Sequence, residues 1–259
     1  MDEPISRPKQ LRGWLVVGVR HRLTQPISRR LPLSLFRRYH RLRRRCTPDR
    51  YTDADPCSVR WVDPCRITHS LLESAPTYPQ WGRVVDGPWD RETERFADRP
   101  VVRAIRQHFE AGVPWDETAL VEAYIGQLER FGNAWEYTSW GDFETRGAEI
   151  NALYDSLSTH GYQRAGQLDP SVDDSVASLI AEINVDIGRD GELLWRGYGQ
   201  HRLAIAQLLG IDSVPVVVNR RHHEWQAVRD RLRTSGRPSL VDPGLREHPD
   251  LQDLFEPQS

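Results

Sequence analysis

The residues best placed to do chemistry lie in one short run, Gly197-Tyr-Gly199-Gln200-His201-Arg202, followed by Leu-Ala-Ile-Ala-Gln-Leu-Leu-Gly210. The second part reads as a helix stopped by Gly210, with Ile205, Leu208 and Leu209 on one face. The first part is then a glycine-flanked turn at the helix N-terminus. Such a turn suits an anion, because the first N–H groups of a helix lack internal acceptors and its dipole is positive there. Gly197 and Gly199 let the backbone approach closely or take positive φ. Arg202 offers a planar fork of donors to a phosphate. His201 is a donor, or an acid or base if its pKa stays near neutral. Gln200 can orient a phosphate oxygen or a water but is neither nucleophile nor base. Tyr198 can stack on a ligand ring or pack in the core. A His-Arg pair at a helix start also serves as a plain structural cap, so both readings stand at this point.

Other chemistry-bearing residues form weaker patterns. Asp186 and Asp190 read as a solvent-face and a turn residue. His222 and His223 are adjacent, so on a strand they point to opposite faces and do not make a metal pair. Arg221-His222 follows the last strand and is a secondary candidate for the same cleft. Cys46, Cys57 and Cys65 contain no Cys-x-x-Cys pair, so neither a disulfide framework nor a cysteine zinc site is indicated.

The elements that must position the turn are legible around it. Ile183, Val185 and Ile187 alternate with Asn184 and Asp186, as a half-buried strand does. Gly188-Arg-Asp-Gly191 is a hairpin turn, and Glu192–Arg196 its return strand. Val214–Val218 is a last strand, placed at an edge by Pro215. Upstream, Ser58–Val62 reads as a strand, and 70–90 as a loop rich in Pro, Gly and Trp. A helix follows Pro100 and ends at Gly112; a second, capped by Asp116, runs to about Phe131. A third spans Phe143 to about His160. Trp89-Asp90, Trp115-Asp116 and Trp140-Gly-Asp142 read as tryptophans packed just before capping aspartates. Residues 164–175 form a polar linker, and 235–259 a loose Pro-rich tail.

The stretch from Ile183 to Val216 resembles the ParB/sulfiredoxin superfamily: a strand, a Gly-Gln-His-Arg turn opening a helix, a Leu-Gly break and a Val-Pro-Val strand. Arg60–Ile67 is similar to that family's first strand and turn, and Ile150–Gly161 to its "search helix". The run through Arg221–Trp225 is similar to archaeal proteins with a ParB-like domain. The resemblance implies an α+β fold: a small mixed sheet with helices, interrupted by a mostly helical insertion at about 70–145. It also implies that Gly197, Gly199, Gln200, His201 and Arg202 hold the phosphates of ATP or CTP with Mg²⁺, with His201 as the catalytic candidate. There are departures. Sulfiredoxin-type chemistry needs a cysteine where Gln200 stands, and partition clamps carry Glu-Arg where this chain has Gln200-His201. A chromosome-partition role, which needs DNA-binding and dimerisation domains after this one, is therefore not expected.

Charge divides the 259 residues. Residues 4–48 contain thirteen Lys/Arg and no Asp or Glu, which leaves residues 49–259 strongly acidic against a total of -2. The expected organisation is a basic arm (1–48), a ParB/sulfiredoxin-like domain (49–234) and the tail (235–259). Within the arm, Leu35, Tyr39 and Leu42 form one helical stripe. Residues 7–45 are expected to bind an anionic membrane surface or nucleic acid, or to fold back on the acidic body. No apolar run reaches the length of a membrane span and no signal peptide is evident, so the cytoplasm is the expected compartment, with membrane association through the arm. Two functions compete: a nucleotide-binding protein of hydrolase or small-molecule-kinase type, and a non-enzymatic adaptor on a degenerate scaffold.

Overall fold

The computed structural model describes residues 32–73, 81–132, 134, 139–164, 176–235 and 243–255. The apolar and basic stretch 11–23 and nearly all of the expected linker lie outside them. The described chain is mixed α/β, with seven strands and eight α-helices. The strands are β1 (Val59–Val62), β2 (His69–Leu71), β3 (Arg83–Val85), β4 (Thr93–Arg95), β5 (Ile183–Ile187), β6 (Leu193–Trp195) and β7 (Val214–His222). The helices are α1 (Leu33–Cys46), α2 (Pro100–Ala111), α3 (Leu120–Phe131), α4 (Phe143–His160), α5 (Val176–Ala181), α6 (Gln200–Leu209), α7 (His223–Ser235) and α8 (Pro243–Arg246).

One open mixed sheet runs in the order β1-β7-β5-β6-β2-β4, and β3 lies beside β7. β1 covers the first half of β7 (Val59 opposite Val217), and β3 runs parallel to its second half (Val85 opposite His222). β7 is therefore an interior strand and not the edge that Pro215 suggested. Pro215 sits opposite Trp61, and the parallel pairing to β5 begins one residue later, at Val216. A single missing N–H at the start of a strand is tolerated there, because antiparallel pairs alternate between bonded and non-bonded positions.

β5 is buried on both faces. Ile183, Val185 and Ile187 join Val216, Val218, Leu203 and Ile205 in the main core, which α2, α3 and α4 complete. The other face is closed by a second cluster containing Leu33 and Phe36 of α1, Trp81, Leu179 and Val217. Asp186, expected at the solvent, is fully buried on that side. Arg196 Nη1 and Arg220 Nε donate to its Oδ2 at 2.6 and 2.7 Å, and both arginines also pair with Glu73. The alternation was right, but neither polar residue faces water: Asp186 meets two arginines, and the Asn184 amide donates to the Leu179 and Glu182 carbonyls.

Two further expectations, for 70–145 and for the C-terminal tail, are corrected, and the reading of the arm helix gains a buried side. The stretch 70–145 is not only helical: β3, β4 and the end of β2 belong to the common sheet, in strands too short to show alternation. In α1 the side turned to the body carries Leu33, Phe36 and His40, while Leu35, Tyr39 and Leu42 are exposed. Residues 243–255, expected to be loose, dock on α7. Asp250 and Leu251 are buried, and Arg221, Arg229 and the Trp225 indole all reach Asp250.

The aspartates after the tryptophans do not cap. Trp89, Trp115 and Trp140 each open a short 3-10 turn. Asp90 binds Arg189, and α3 starts at Leu120 without a side-chain cap. Asp142 precedes α4 but accepts from Ser139 instead.

Candidate functional site

The turn after β6 delivers α6 with its N-terminus at the rim of a cavity of about 270 Å³. Its walls come from three helices: Arg146, Glu149 and Ile150 of α4, Ala181 of α5, and the start of α6 from Gly199 to Arg202. The first intrahelical bond runs from the Leu203 N–H to the Gly199 carbonyl at 2.9 Å. Gly199 has no side chain with which to cap the preceding N–H groups.

Both turn glycines take positive φ, 84° at Gly197 and 73° at Gly199. Gly199 has a packing reason as well. A Cβ there would stand 2.7 Å from the Ile183 Cα, so the turn lies directly on the start of β5. Gly197 does not line the cavity, whereas Gly199, Gln200, His201 and Arg202 do.

Arg202 donates from Nη1 to the Ala181 carbonyl at 2.9 Å, tying α6 to the C-terminal end of α5. Its guanidinium carbon also lies 6.0 Å from the Tyr162 ring centroid. Among the described residues it pairs with no carboxylate. Burial pushes the Tyr162 hydroxyl well above the ordinary tyrosine range.

The sequence offered no sign of Arg146, which is 55 residues from its partner. Its Nη2 lies 3.0 Å from His201 Nε2 and 3.2 Å from Nδ1, while Nη1 donates to Glu149 at 2.8 Å. A guanidinium only donates, so His201 receives it as a neutral ring. Burial, with the Arg146 charge as the second cause, lowers the His201 pKa to about 3. At neutral pH the ring is therefore an uncharged acceptor or donor and not a reservoir of protons. Two guanidiniums thus border the same cavity as the helix N-terminus, and among the described residues Glu149 is the carboxylate that lines it.

Arg221 and His222 do not join this site. Arg221 is buried against Asp250, and His222 Nε2 lies 2.9 Å from the Gly87 carbonyl. Among the described residues no three His, Cys, Asp or Glu side chains converge as a metal centre, and no helix is long and apolar enough to cross a membrane. Comparison with family models, with curated proteins and with solved structures finds no match.

Proposed function

We propose that the cavity at the start of α6 binds the phosphate groups of a nucleotide, ATP or CTP, in a ParB-like domain. One observation carries this reading: the uncapped N-terminus of α6 opens into a cavity bordered by Arg146 and Arg202. A helix terminus and guanidinium groups favour the same ligand charge, and each lends the other geometric definition. At about 270 Å³ the cavity is just below the usual range for small-molecule sites, about 300–1,000 Å³. That suits a phosphate chain with its base lying outside. Mg²⁺ accompanying the phosphates would meet Glu149, since this ion is commonly held by one or two carboxylates together with phosphate oxygens. His201, neutral beside Arg146, would orient the anion by hydrogen bonding. Burial is the larger cause of the low His201 pKa, so an anion that offsets the Arg146 charge would raise it only part of the way toward neutrality.

The adaptor reading has support of its own. Gly199 is demanded by Ile183, and Arg202 is already engaged with the Ala181 carbonyl, so both have structural duties without any ligand. A nucleotide panel read by thermal shift, with Mg²⁺, separates the two, because ligand binding to the folded state raises the midpoint. Arg202→Ala should weaken nucleotide binding by about 1.5–3 kcal/mol, the range for hydrogen bonds to charged groups, while the chain stays folded. A variant that binds as tightly as the parent, or that fails to fold, would make the turn structural and favour the adaptor.

A further inference from the structure

α1 is a helix of 14 residues, about 21 Å long, with three different sides. One side is buried through Leu33, Phe36 and His40. Next to it lie Arg37, Arg43 and Arg44, which are held by the body: Arg37 pairs with Asp55, while Arg43 and Arg44 donate to the Tyr51 hydroxyl and carbonyl. The outer side carries Leu35 (48% exposed), Tyr39 (43%) and Leu42 (60%). Beside that stripe are Arg38, Arg41 and Arg45, all exposed, which form no ion pair or side-chain hydrogen bond among the described residues. The helix thus sorts its six arginines, three tied inward and three turned outward along an apolar stripe.

We propose that this outer side docks on an anionic lipid surface, with α1 lying in the interfacial plane. Charge selects the occupant. Residues 1–31 contain seven Lys/Arg and two acidic residues, so that segment is repelled by the same arginines. A second copy seated face to face would bring Arg38, Arg41 and Arg45 against their own equivalents. A nucleic-acid backbone satisfies the arginines but gives Leu35 and Leu42 nothing apolar to bury. An anionic bilayer meets both demands: headgroups for the guanidiniums and the acyl boundary for the stripe. This inference is independent of nucleotide binding.

The test is pelleting of the full chain with phosphatidylcholine vesicles containing phosphatidylglycerol, and with phosphatidylcholine alone. Binding is expected only with phosphatidylglycerol, and should weaken as salt is added. Each arginine near an anionic surface contributes about a factor of five, so Arg38→Gln/Arg41→Gln/Arg45→Gln should lose roughly a hundredfold in partitioning. Leu35→Ser/Leu42→Ser should lose about tenfold or more. Both variants change exposed side chains, so the thermal midpoint should match the parent. Absence of phosphatidylglycerol-dependent binding overturns the proposal, as does binding that survives both sets of substitutions. Loss of self-association, or of duplex nucleic-acid binding, in these variants without any vesicle binding reassigns the face and overturns it too.

Discussion

Two groups of arginines show how the same side chain serves two purposes. Arg221 of β7 and Arg229 of α7, both bonded to the docked C-terminal segment, are at most 2% exposed. Their counter-charges come from inside the protein. Arg221 grips Asp250, and Arg229 reaches Asp250, Asp53 and Asp253. These guanidiniums hold the Asp250 carboxyl down at about 2 although burial alone would raise it. Arg146 and Arg202, at the cavity, are balanced differently. Arg146 has Glu149, whose side chain is 46% exposed, and a neutral histidine; Arg202 has a backbone carbonyl. Where the folded chain supplies buried carboxylates, arginine acts as an internal tie. At the cavity the partners are a half-exposed carboxylate, a neutral ring and a backbone carbonyl, and this contrast is what supports the proposal of an external anion there.

The largest expected effect tests the first half of that contrast. Asp250→Ala removes a buried partner from Arg221, Arg229 and the Trp225 indole. Breaking a buried ion pair from one side typically costs about 3–5 kcal/mol, and urea unfolding should show a loss of that size. Arg202→Ala without ligand should cost far less, because its partner is a carbonyl that water can reach once the side chain is gone. If the two substitutions destabilise equally, the distinction between tie and site fails.

Much of the scaffold behind this contrast was legible in the sequence, because its signals are local. The period of two in Ile183–Ile187, the glycines of the hairpin, and the Pro100 and Gly112 bracket of α2 all correspond to observed elements. What escaped depends on partners distant in sequence. Asp186 is buried because Arg196 and Arg220, 10 and 34 residues away, arrive at it. Arg146 faces His201 across 55 residues. The segment 243–255 is fixed by Asp250, in a stretch whose prolines read as loose chain. In α1, two stripes fit helical spacing equally well, and a histidine on the buried one concealed it.

A smaller effect is expected at the turn. Gly199 and Gly210 flank the same helix with similar φ, 73° and 65°. Placing a non-glycine residue in the left-handed region costs roughly 1–2 kcal/mol in either case. At Gly210 a Cβ meets nothing within 4 Å, while at Gly199 it meets the Ile183 backbone at 2.7 Å. Gly199→Ala should therefore exceed Gly210→Ala in unfolding free energy, because the first strand residue of β5 must move as well. Equal costs would mean that the turn has room to spare, and that the approach to β5 does not set the position of the cavity.

The last test probes the electrostatics of the cavity directly, through a change in one pKa at nearly unchanged neutral-pH stability. His201 has a pKa of about 3 in the folded chain, against about 6.5 for an unperturbed histidine. Between those values the unfolded chain binds the proton and the folded chain does not, so unfolding takes up protons. The contribution of this ring to stability is therefore complete above about pH 6.5 and is lost progressively as the pH falls toward 3. His40 and His248 are also lowered by burial and add to the same acid sensitivity, so a site-resolved measurement is required. Following the His201 ring by NMR should show no titration near neutrality. Arg146→Gln removes the second cause and leaves the first, burial, in place. The pKa should rise but stay below the ordinary value. Adding pyrophosphate to the parent should move it in the same direction, since an anion at the N-terminus of α6 offsets the Arg146 charge as deletion does. A ring that titrates near 6.5 in the parent, or that ignores both changes, would remove the electrostatic difference between the cavity and the buried arginine ties.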